Sequence, residues 1–67
     1  MAEYGITEEM VINCLYNPDS VLTGLGDRYV AQQRLNSSLV LRVIFEEQSE
    51  EVTVVTVYKA RAKRYEL

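Results

Sequence analysis

The sequence predicts an α+β domain in which one N-terminal helix packs on an antiparallel sheet of three to four strands. Three features carry that expectation. A capped, amphipathic stretch opens the chain as "GITEEMVINCLYNP", period-two apolar strings fill the second half as "LVLRVIFE" and "VTVVTVY", and turn-rich letters stand between them. A helix followed by a run of strands is the α+β order rather than the βαβ alternation of a parallel sheet.

The helix is marked at both ends. Thr7 is a good N-cap, Glu8 and Glu9 suit the positive end of the macrodipole, and Ile6 is placed to pack on Val11 as a hydrophobic staple. Pro18 ends it, so the expected span is Thr7 to about Asn17. Met10, Val11, Cys14 and Leu15 fall on one face. A helix this short is marginal alone in water, so that face must pack on the sheet.

After "NPDS", Val21 and Leu22 read as a short leading strand, and "TGLGD" supplies a glycine-bearing turn. Arg28 to Leu35, "RYVAQQRL", pairs with Leu39 to Glu46, "LVLRVIFE", across "NSS"; the last strand runs from Val52 to about Tyr58 after the acidic turn "EQSEE". Leu39, Leu41, Val43 and Phe45 share one face, and Val40, Arg42, Ile44 and Glu46 the other. Both faces are largely apolar, which predicts a central strand with the helix on one side. The other side, with Val40, Ile44, Val55 and Val57, is expected to be shielded by a second subunit or a partner.

The chain has 67 residues, which predicts one domain over 1–67. A domain of that size buries only about 60% of its unfolded surface and gains from pairing, so a homodimer is expected. Cys14 is the only cysteine and histidine is absent, which rules out an internal disulfide and removes the usual zinc ligands and general base. No metal and no cofactor are expected. No apolar run reaches the length of a membrane span and "MAEYGITEEM" lacks the character of a signal peptide, so the expectation is no membrane and a cytoplasmic location.

Charge is unevenly placed. Residues 1–51 hold three basic and nine acidic side chains, whereas residues 52–67 hold four basic and one acidic. Lys59, Arg61, Lys63 and Arg64, with Tyr58 and Tyr65 beside them, form a cationic ending that could hold a phosphate backbone and stack a base. The plainer reading is a solvated strand end that discourages edge-to-edge aggregation. Arg42 interrupts an apolar strand and needs an acidic partner or an anion. An ion pair with Glu46 is one reading; an anion site on the open sheet face, with Arg34 converging on it, is the other. Cys14, on the apolar helix face, reads as a buried core residue rather than a nucleophile. The "GLG" of residues 24–26 lacks the lysine and following helix of a phosphate loop.

Taken together, "GITEEMVINCLYNPDSV", "YVAQQRL", "LVLRVIFEE" and "VTVVTVYKARAKRY" resemble a family of small prokaryotic domains related to the RelE/ParE toxin superfamily. That resemblance implies a helical N-terminal segment on a curved antiparallel sheet, α-β-β-β. It also implies one of two activities: messenger-RNA cleavage by basic and tyrosine side chains, or poisoning of gyrase. In both cases an antitoxin covers the sheet and its edges. By position, Arg42, Arg61, Arg64 and Tyr65 become the catalytic candidates, and Arg42, Lys59, Arg61, Lys63 and Arg64 the nucleic-acid contacts. Relatives usually carry a longer N-terminal helix, often with a histidine, and RNA-cleaving members are generally basic. The expected function is therefore a toxin-like protein that acts by binding a partner protein or RNA. A metal-independent endoribonuclease and a structural homodimer module are the alternatives.

Overall fold

The computed structural model describes residues 5–24 and 26–65. Helix α1 spans Glu8–Tyr16 and is followed by strands β1 (Ser20–Thr23), β2 (Arg28–Arg34), β3 (Leu39–Gln48) and β4 (Glu51–Arg61), with a terminal helical turn α2 (Ala62–Tyr65). The strands form one antiparallel sheet in the order β1-β2-β3-β4. Each strand pairs with its sequence neighbour, a meander that needs only short turns.

The local signals of the helix act as expected. Thr7 takes the extended conformation of an N-cap and its Oγ1 accepts from the Met10 N–H at 3.2 Å. Ile6 and Val11 are both buried in the core cluster, consistent with the staple. At the other end, Gln33 reaches across from β2 and its Nε2 donates to the carbonyl of Asn17 at 3.0 Å and of Asn13 at 3.5 Å. The Asn17 carbonyl is of the kind that a helix end leaves without a partner, whereas that of Asn13 already accepts from the Asn17 N–H at 2.8 Å.

The core lies between α1 and one sheet face. Ile6, Val11, Cys14, Ala31, Leu41 and Val43 are buried there, with Met10, Leu15, Phe45, Val54 and Val57 packed around them. Leu41 and Val43 have no exposed surface because β3 is flanked by strands on both sides and covered by the helix.

Two turns close the long hairpins. Asn36 Oδ1 accepts from the N–H of Ser38 and of Leu39, at 2.7 and 2.9 Å, an Asx turn between β2 and β3. Ser49 and Glu50 join β3 to β4 as a two-residue turn with φ of 46° and 71°. The expected acidic turn "EQSEE" is thus shorter, because Gln48 and Glu51 already pair in the ladder.

Strand β4 departs most from the period-two expectation. Ile44 pairs with Thr56 but Phe45 with Val54, so Val55 is an extra residue, a β-bulge. The bulge moves Val57 opposite Val43 and into the core, correcting its expected place on the open face. Val40 does lie on the face away from α1, but it is buried. The strand also continues past Tyr58 to Arg61, where the Ala62 N–H donates to the Ser38 carbonyl at 2.8 Å and the chain turns into α2.

Candidate functional site

The register decides which side of the sheet each candidate occupies, because residues paired across an antiparallel ladder point to the same face. Arg42 pairs with Gln32 on one side and Tyr58 on the other, all on the face away from α1. Lys59 pairs with Leu41 and Arg61 with Leu39, which puts both on the α1 face. Lys63 is exposed in α2, beyond the end of β4. Arg64 and Tyr65 belong to the same helical turn, and their side chains lie outside the described residues. The basic candidates Arg42, Lys59 and Arg61 are therefore not brought to one cleft.

Arg42 does not pair with Glu46 either. Glu46 stands opposite Arg28 and forms an ion pair with it at 3.0 Å. The Arg42 Nη1 instead donates to the Tyr58 hydroxyl at 2.7 Å, and its guanidinium carbon lies 5.7 Å from the centre of the Tyr58 ring. Beside it in the ladder Gln32 is buried, with its Oε1 lacking a hydrogen-bond partner among the described residues. Arg34, opposite Val40, is on the same face as Arg42.

Cys14 is fully buried, its Sγ 3.5 Å from the Ala31 carbonyl and 3.9 Å from that of Leu41. Burial, reinforced by the negative charge of Asp19, pushes the thiol up to about 11. It is neutral at physiological pH and sealed from reagents, so it is not a nucleophile. Among the described residues no three carboxylate or thiol side chains gather into a metal site, and no helix is long and apolar enough to cross a membrane.

Sequence reasoning missed the surface beside α1. Ile12 and Tyr16, one helical turn apart, form a ridge that is 52% and 80% exposed. On one side of it lies a groove of about 430 Å³ that Leu15, Phe45, Glu47, Val52 and Val54 complete. A second groove of about 560 Å³ on the other side includes Glu9, Met10, Gln33 and Leu35. Glutamates are the only charged residues among the described linings of both. Val52 and Val55 extend the exposed apolar surface along β4. Among the described residues no strand pairs with the outer edge of β4. The available signal was the surplus of apolar letters off the predicted helix face, Ile12 and Tyr16, together with a long strand at the end of a meander.

No family model, no curated protein and no solved structure matches this chain.

Proposed function

We propose that this protein is a toxin-like binding module whose ligand is another polypeptide, docked along the β4 edge and into the groove between that strand and α1. One observation carries the reading. An edge strand of 11 residues, a row of exposed apolar side chains and the Glu47 carboxylate meet at one place. A strand edge offers its N–H and C=O groups to an added strand, and alternate side chains of that strand then fall over the groove. The matching ligand is an extended segment with apolar anchors and a lysine or arginine directed at Glu47. Kinship with the RelE/ParE toxins is proposed on the sequence phrases, and covering of sheet edges by a partner is what that kinship implies.

The endoribonuclease alternative is weaker on geometry. Stabilising a pentavalent phosphate needs donors converging within about 3 Å of the developing charge. Arg42 sits on one face of the sheet and Arg61 on the other.

The test uses a short synthetic peptide alternating valine and lysine, and the same peptide with glutamate for lysine, titrated into labelled protein. The lysine peptide is expected to shift the amide resonances of residues 47 and 52–57 and the glutamate peptide to leave them unmoved. Equal effects of both peptides would overturn the reading. So would silence from the lysine peptide alongside single-stranded RNA binding with a log-log salt slope of about -2 to -3.

A further inference from the structure

We infer that the polypeptide filling this surface is a second copy of the chain, with β4 of each copy joined antiparallel to β4 of the other. The inference rests on the polypeptide-binding reading above and names its partner.

Charge along the strand points to a self-complementary contact. Glu46, Glu47, Glu50 and Glu51 crowd the hairpin where β4 begins, while Lys59 and Arg61 stand where it ends. Antiparallel pairing about a two-fold axis normal to the sheet sets the acidic end of each copy against the basic end of the other, twice. Parallel pairing would align like charges.

The faces agree as well. A two-fold axis normal to the sheet keeps both helices on the same side. Glu47 pairs with Val52, and both lie on the α1 face, as do Lys59 and Arg61. The partner's Lys59 and the partner's Arg61 therefore arrive on the side that carries the groove and Glu47, not on the opposite one. Setting Val57 at the axis, with the Val55 bulge counted in each strand, matches the faces residue by residue and brings the partner's Arg61 level with Glu47. Val52 then stands opposite the partner's Arg61, and Val54 opposite the partner's Lys59. Glu47 is one strand further in, about 10 Å from the partner strand at two strand spacings, a gap that glutamate and arginine side chains together span. A lysine on an edge strand ordinarily discourages pairing; here antiparallel pairing sets that basic end of the strand against the acidic end of the partner.

The opposite sheet edge does not compete. Strand β1 has only 4 residues, Ser20–Thr23, none of them charged.

Sedimentation across a concentration series tests this with the wild type, Glu47→Lys, Arg61→Glu and the double variant. Both positions are exposed, and a thermal melt confirms that each variant folds. The wild type is expected to dimerise. Each single reversal should weaken dimerisation by roughly tenfold or more, and the double variant should recover most of the loss, since it rebuilds the pair with its signs exchanged. A wild type that stays monomeric at high micromolar concentration overturns the inference, as does a double variant no better than the worse single one. If the monomer still binds the valine–lysine peptide, only the identity of the partner is refuted; if it binds no peptide either, the polypeptide reading falls with it.

Discussion

The Arg42 guanidinium donates to the Tyr58 hydroxyl at 2.7 Å across β3 and β4 while its cationic carbon lies 5.7 Å from the ring centre. One tyrosine thus engages the arginine by its oxygen and by its π-face. The half-buried pair is one of the contacts that accommodate a charged side chain in an otherwise apolar stretch of β3.

Replacing Tyr58 with Phe keeps the ring and deletes the acceptor. The expected loss is about 1–2 kcal/mol in urea unfolding, in the range of a hydrogen bond to a charged group that is only partly buried. Tyr58→Ala should cost more, because it removes the ring as well. Indistinguishable unfolding curves for wild type and Tyr58→Phe would show that the hydroxyl contributes nothing to stability.

The Ser49–Glu50 turn holds two non-glycine residues at positive φ. Left-handed backbone costs an ordinary residue about 1–2 kcal/mol, and Asn-Gly is the pair best suited to such a turn. Ser49→Asn with Glu50→Gly should therefore stabilise the domain by about 1 kcal/mol or more, raising Tm by about 4–8 °C per kcal/mol in a chain of this size. A lower Tm would mean that these side chains serve the fold in another way.

Leu41 is fully buried beneath α1. Truncation to Ala should cost about 2–5 kcal/mol, enough to remove the cooperative melt of a small domain. Calorimetry decides it: a loss below about 1 kcal/mol would contradict the placement of Leu41 at the centre of the core.

The raised Cys14 pKa fixes a sign for alkaline stability. Between the ordinary thiol value of 9.0 and the folded value of about 11 the unfolded chain releases a proton that the folded chain keeps. Its contribution is complete below pH 9.0 and is lost as pH rises towards 11, at up to about 1.4 kcal/mol per pH unit. Comparing pH-dependent unfolding of wild type with Cys14→Ala isolates this slope, and the variant should lack it. Native protein should also resist thiol reagents until it unfolds.

Arg61 and Lys63 are exposed, and exposed charges contribute little to stability. Changing both to Gln should leave the Tm of the isolated chain nearly unmoved. The expected salt slope for single-stranded RNA is shallow in wild type and variant alike. A steep wild-type slope flattened by one to two units in the variant would mark this end of β4 as a phosphate-binding site.

The helix was readable from sequence because its determinants are local. Thr7 caps residues one turn away, the spacing of Met10, Val11, Cys14 and Leu15 sets one face within a single element, and Pro18 forbids continuation whatever the rest of the chain does. The alternation along β3 was equally plain. Its regular period-two pattern puts Leu41 and Val43 on one side and Arg42 on the other.

Strand β4 was decided by tertiary structure. In "VTVVTV" the doublet Val54–Val55 breaks the alternation, yet a string with apolar residues at both parities does not say which one drops out of register. Pairing with β3 settles it by leaving Val55 unpaired, and that single extra residue turns Val57 inward. Lys59 and Arg61 keep the same phase as Val57, so they stand across the sheet from Arg42. The partner of Arg42 was hidden for a related reason. Glu46 is close in sequence, but the ladder sets Arg28 beside Glu46 and Tyr58 beside Arg42. Sequence thus determined α1, the succession of strands after it and the face pattern of β3, because those follow from interactions within a few residues. The continuation of β4 to Arg61 and the turn α2 were not legible in it. Register, bulge and side-chain partners belonged to the folded sheet, because each depends on which residue of a distant strand lies opposite.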